Sequence, residues 1–150
     1  MTSKYRKLPV VILLATIAIY LFSPSHAKSD PTTKEGFLQD IRIAIQTKNR
    51  EALSLLYNWD GVDEEKKSQG MMFIDQMIKY TLKSVEFAPL PKKDTSIRTG
   101  DGVLLKLNTP AEGLVKIVYK EEDAFPLNNL SYPYGIRNGK YCFPLYVPVK

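Results

Sequence analysis

One histidine and one cysteine are all that this chain of 150 residues contains. The histidine, His26, lies near the N-terminus, and the cysteine is Cys142. A domain that begins beyond His26 has no imidazole. That excludes Ser-His-Asp and Cys-His catalysis and any histidine-ligated metal. A single cysteine excludes an internal disulfide and leaves either an intermolecular partner or a buried, inert thiol. Burial is expected, because free cysteine is among the most buried residue types. Glycine is sparse, and no Gly-rich loop runs into Lys-Ser/Thr to cradle a phosphate; Gly100-Asp101-Gly102 reads as a turn. The acidic run Glu121-Glu122-Asp123 is too short for a calcium loop. The expectation is a protein with no metal and no cofactor.

What the chain does have begins at its N-terminus. Lys4, Arg6 and Lys7 precede an uncharged apolar run from Leu8 to Phe22, and Ser23-Pro24-Ser25-His26-Ala27 follows. Pro24 breaks a helix, and Ser25 and Ala27 are small residues at the −3 and −1 positions of a signal-peptidase site. Residues 1–27 therefore read as a secretory signal peptide cleaved between Ala27 and Lys28, and the mature protein as periplasmic or secreted. The rival is an uncleaved anchor, the one route by which this chain would hold a membrane. Its apolar run is shorter than the roughly 20 residues that span a bilayer.

Residues 28–150 are one domain's worth of chain. The N-terminal segment carries three of the 21 basic residues and none of the 16 acidic ones, so the net charge of +5 falls to +2 beyond it. The basic isoelectric point is thus largely a property of the export signal, and no nucleic-acid partner is expected.

Residues 28–31 read as a flexible terminus and 32–150 as a single α+β domain. Thr32 and Glu35 have capping-box spacing. The helix after them puts Phe37, Leu38, Ile41, Ala44 and Ile45 on one arc and leaves Ile43 off it. Asn49 caps a second helix, Arg50 to Tyr57, and Trp59-Asp60-Gly61 forms a turn. Asp63 caps a third, whose apolar arc runs from Met71, Phe73, Ile74 and Met77 to Ile78, Tyr80 and Leu82. Beyond Lys83 the period drops to two, a strand through Val85 and Phe87. A polar loop spans 88–102. Strands at 103–108 and 114–120 are joined by a turn at 109–113, and a second polar loop covers 121–129. Asn138-Gly139 suits a type I′ turn and predicts a hairpin over 130–149. In that register Ile136 faces Tyr141, Tyr134 faces Phe143, Tyr132 faces Leu145 and Gly135 faces Cys142. Pro133 would meet Pro144, so pairing should weaken past Tyr134 and Phe143.

Three helices followed by about five antiparallel strands, with Asn58-Trp59-Asp60-Gly61-Val62, Ser84-Val85-Glu86-Phe87, a basic strand and the Arg137-Asn138-Gly139-Lys140-Tyr141 hairpin, resemble the nuclear-transport-factor-two-like superfamily. The likeness covers about residues 32–150 and is closest to small exported bacterial members without assigned activity. It implies an α+β cone: three N-terminal helices packed on a curved antiparallel sheet of four to six strands. That superfamily includes isomerases that use a pocket carboxylate as base with acidic donors, but no such pair maps onto positions of this chain.

Asp60, Asp75 and Glu86 are the mid-chain carboxylates to weigh as bases. Asp75 has the spacing of an exposed ion pair with Lys79, Glu86 alternates away from Val85 and Phe87, and Asp60 is a turn residue. Lys106, Lys116 and Lys120 recur at alternating strand positions, as on a solvated sheet face. Seven tyrosines beyond the signal (57, 80, 119, 132, 134, 141 and 146) and Trp59 either fill the core or line a pocket. The candidate pocket lining is Trp59, Met77, Tyr80, Tyr119, Tyr134 and Tyr141. The expected function is an exported module that binds a small apolar ligand or a protein partner without catalysis, with a homodimer left open. The alternative is a histidine-free acid–base enzyme, isomerase- or hydratase-like, using a carboxylate and a tyrosine in the cone. The two readings separate on whether a carboxylate enters the aromatic interior.

The export reading predicts that the intact mass of the secreted protein begins at Lys28. A full-length product in the membrane fraction would establish the anchor instead.

Overall fold

The computed structural model describes residues 31–91, 96–120 and 129–149. The signal segment and its cleavage site, Lys28 to Asp30, and parts of both polar loops lie outside them. The chain is α+β with antiparallel sheets. Helix α1 spans Lys34–Gln46, α2 Arg50–Ser54 and α3 Glu64–Met77. The strands are β1 Leu82–Ala88, β2 Ile97–Arg98, β3 Leu104–Leu107, β4 Gly113–Tyr119, β5 Asn129–Arg137, β6 Lys140–Cys142 and β7 Tyr146–Pro148. They form a four-stranded ladder β1-β4-β5-β6 and a three-stranded ladder β2-β3-β7, rather than one sheet of four to six strands. No described helix is long and apolar enough to cross a membrane.

Each helix starts where a short polar side chain can take an orphan N–H. Thr33 Oγ1 accepts from Gly36 N–H, Asn49 Oδ1 from Ala52 N–H and Asp63 Oδ1 from Lys66 N–H. The last bond, with the Lys66 ammonium, holds the Asp63 carboxyl below its usual range. The first cap is Thr33 and not Thr32: the i→i−4 ladder opens with Phe37 N–H on Thr33 O. Helices α2 and α3 are both shorter than their apolar patterns, and in each case tertiary pairing claims the next residues. After α2 the main chain at Leu56 and Asn58 bonds to Phe143, with Phe143 N–H donating to Leu56 O at 2.8 Å. After α3, Thr81 O accepts from Lys120 N–H and Leu82 pairs with Tyr119, so the expected helical arc at Tyr80 and Leu82 becomes the entry to β1.

Helix α1 lays Phe37, Ile41, Ala44 and Ile45 on the inner face of the large ladder, where Val85, Val115, Ile117, Tyr119 and Tyr134 meet them. The inward residues of β4 alternate without a break, as one buried face requires. Truncating Phe37 or Phe143, each fully buried, is worth roughly 3–5 kcal/mol. The same helix covers the outer edge of the ladder: Arg42 Nη2 donates to Val85 O at 2.8 Å.

The hairpin forms in the expected register, with Gly135 opposite Cys142 and Ile136 opposite Tyr141. Asn138 and Gly139 both have positive φ, as a type I′ turn requires. A Cβ on Gly135 would meet Pro110 O at 2.3 Å, so only glycine admits the 109–110 segment there. The ladder ends at Cys142, earlier than residue 149, because the chain changes partner. Phe143 joins the segment after α2, Leu145 bonds to Asn108, and β7 pairs with β3. Strands β3 and β4, adjacent in sequence, do not pair with each other. The 108–112 segment carries the chain from one ladder to the other.

Four buried or half-buried polar residues hold that crossing. Asn58, 4 % exposed, donates from Nδ2 to Thr109 Oγ1 at 2.9 Å and accepts at Oδ1 from Asp60 N–H at 3.1 Å and Arg137 Nη1 at 2.5 Å. Asn108 Nδ2 donates to the carbonyls of Asn58 and Asp60, at 2.8 and 2.9 Å. Its Oδ1 accepts from Leu145 N–H at 2.9 Å.

Candidate functional site

Apart from the separate Tyr80–Tyr119 pair, the stacked aromatic side chains form two groups joined by Phe143. In one, Phe37 lies 6.4 Å from Tyr134 and 6.1 Å from Tyr141, with Phe87 against Tyr134. In the other, Tyr57 lies 5.6 Å from Trp59 and 6.3 Å from Tyr132, and Phe73 packs on Tyr132. Phe143 touches both, at 5.1 Å from Phe37 and 5.0 Å from Tyr57. The six candidate pocket residues are distributed over this framework. Tyr134 and Tyr141 are neighbours, Tyr80 stands edge-on to Tyr119, and Met77 accepts a hydrogen bond at Sδ from Tyr57. Trp59 Nε1 donates to Ser54 O at 2.8 Å, and its ring lies against Gly70 of α3.

Three of these phenols are electrostatically unusual. Burial raises the pKa of Tyr57, and the neighbouring Tyr132 and Tyr119 add to the rise. Burial alone raises Tyr119 and Tyr132. Each therefore stays protonated at neutral pH, a hydrogen-bond donor and not a base. The Tyr119 hydroxyl is buried with no hydrogen-bond partner among the described residues.

The carboxylates are elsewhere. Asp60 pairs with Arg137, and Asp75 pairs at 2.6 Å with Arg50 of α2 rather than with Lys79. The i,i+4 spacing to Lys79 is overridden because α2 and α3 pack side by side, while Lys79 lies past the end of α3 and sets its ammonium over Tyr80. Glu86 lies 3.9 Å from Lys116 on the outer sheet face. No described Asp or Glu is buried, and the described residues hold no group of three or more His, Cys, Asp or Glu that could take a metal. The basic face is divided, because Lys106 lies on the small ladder and Lys116 on the large one.

Two surface hollows are open to solvent. One, of about 430 Å³ at the α1–α2 elbow, is lined by Ile43 and by polar residues already engaged: Asn49 caps α2, Arg50 holds Asp75 and Lys48 donates to Lys79 O. The other is a groove of about 260 Å³ between the end of α2 and the β5–β6 hairpin. Leu55, Tyr141 and Cys142 give it exposed apolar surface above the buried Leu56 and Tyr57, and Asn58, Arg137, Asn138 and Lys140 make much of the rest polar. Leu55 is 83 % exposed. Its backbone is still helical, with Leu55 N–H on Glu51 O, and it lies on the face of that turn opposite the buried Leu53. Tyr141 is the one candidate pocket residue in this lining. Cys142 is half-buried and not sealed in the core. Burial raises its pKa, against opposing pulls from a Thr109 hydrogen bond and the Arg137 charge, so it lines the groove as a neutral thiol. From sequence, Asn58 and Arg137, which frame the groove, stand out only as members of the Asn58-to-Val62 and Arg137-to-Tyr141 segments that carry the resemblance.

Comparison with protein-family models, with curated proteins and with solved structures returns no match.

The phenol burial has a consequence at high pH. The folded pKa values of Tyr57, Tyr119 and Tyr132 lie above the value of about 10 for an unfolded chain. The folded state thus favours the protonated forms, and stability present below about pH 10 is lost above it. Denaturant titrations should show unfolding free energy falling past that pH. Tyr119→Phe, which removes the unpartnered oxygen, should gain about 1 kcal/mol at neutral pH. A loss of that size would reveal a partner for the hydroxyl.

Proposed function

We propose that this protein is an exported, non-catalytic binding module whose site is the groove between α2 and the β5–β6 hairpin, and that its ligand is a small apolar molecule. The observation that carries this reading is the groove itself, an open hollow of mixed lining in which the apolar side chain of Leu55 keeps 83 % of its surface in water. Its volume, about 260 Å³, lies just below the roughly 300–1,000 Å³ of drug-sized sites, which favours a small occupant. The acid–base alternative needs a carboxylate among the aromatics. No described carboxylate is buried. In the same reading the three helices and the large ladder make a cone of the nuclear-transport-factor-two-like kind, and β2-β3-β7 is an added flap. The mature protein, cleaved after Ala27, works in the periplasm or outside the cell.

Titration with 1-octanol, an uncharged apolar probe, tests the site. Saturable shifts of the Leu55, Leu56, Tyr141 and Cys142 amide resonances are expected, and Leu55→Asp should abolish them while the rest of the spectrum is kept. If those amides stay still, or if Val115 and Ile117 in the core move instead, the groove is not the site.

A further inference from the structure

We propose that the groove takes an aliphatic carboxylate: an apolar chain on Leu55 and Tyr141, with its anionic head at Lys140. The inference rests on the groove being the binding site and adds the charge of the ligand. Its first support is a repulsion built into the hairpin. Arg137 and Lys140 are directly opposed across the ladder, beside the turn, and like charges so placed destabilise a sheet pair. Asp60 and Asn58 engage the Arg137 guanidinium, but Lys140 makes no ion pair among the described residues. Asp60 already offsets the Arg137 charge, and a bound anion would offset that of Lys140. The second support is that none of the described lining residues is acidic, so none of them competes with a ligand for Lys140.

The main chain around the groove argues for a lone carboxylate over a peptide. Tyr141 N–H is bonded to Pro31 O at 2.7 Å, Phe143 N–H to Leu56 O and Phe143 O to Asn58 N–H. A peptide laid along β6 would find these strand-edge groups taken and could not extend the ladder. A ligand with one charged head and no backbone asks for none of them. The Cys142 thiol, kept neutral by burial, adds apolar surface and no opposing charge.

Three probes of equal chain length separate the proposal from the reading under it: octanoate, 1-octanol and octylammonium, each titrated while the Leu55 and Tyr141 amides are followed at low salt. Octanoate should bind about fivefold more tightly than 1-octanol, the scale of a single exposed ion pair, and octylammonium should bind most weakly. Added salt should narrow the spread. Lys140→Met should bring octanoate and 1-octanol together, and Lys140→Glu should reverse the order; both substitutions are at an exposed position. Equal affinities for the three probes in the unaltered protein, or a preference for octylammonium, overturns the carboxylate while leaving the groove as an apolar site. No saturable shift with any probe overturns both.

Discussion

The side chain of Asn58 is almost wholly buried, and both ends of its amide are spent on holding separate segments together. It stands where four stretches of chain converge: the segment after α2, the 108–109 crossing between ladders, the end of β5 and the segment after β6. A buried amide is costly when unpaired and worth about 1 kcal/mol per bond when satisfied. The arrangement is therefore far more sensitive to losing a partner than its net contribution suggests. Asn108 supports it from the other side, fixing the carbonyls of Asn58 and Asp60 and the N–H of Leu145. A polar network that is fully used in this way specifies one arrangement of the surrounding strands.

What this seam arranges is a change of sheet. The chain after Cys142 leaves β5, borrows Leu56 and Asn58 for one bridge, and then joins β3 as β7. Phe143 is carried inward at that step, where it ties the Phe37–Tyr134 group to the Tyr57–Tyr132 group. The early end of α2 belongs to the same event. Leu56 meets Phe143 through its main chain, beside the exposed Leu55 of the groove wall. Arg137 links seam and groove as well, anchored on Asn58 and Asp60 with its charge at the groove.

Much of the local structure was legible in the sequence, because local patterns have local causes. Asn49 and Asp63 cap helices, the α1 arc at Phe37, Ile41, Ala44 and Ile45 faces the sheet, and Asn138-Gly139 sets the register that places Gly135 against Cys142. The long-range features were not. Nothing in the spacing of Asn58 and Asn108 marks them as cross-links, since asparagine beside a turn has a sufficient local explanation. Arg50 and Asp75 meet only because two helices pack, and β3 and β4 separate although a short turn joins them. The groove shared this difficulty. An apolar Leu55 beside Leu56 does not show from sequence which of the two is exposed, and of the six aromatic and methionine positions singled out as lining, Tyr141 alone reaches the groove.

Native-state amide hydrogen exchange tests the place of Asn58 most directly. If the seam organises the fold, the amides of Asn58, Asn108, Phe143 and Leu145 exchange only through global unfolding, with the same free energy as Val115 and Ile117 in the centre of the large ladder. Exchange of those four amides by local opening, while Val115 and Ile117 remain protected, would contradict the account and make the crossing a peripheral feature of an independently stable core.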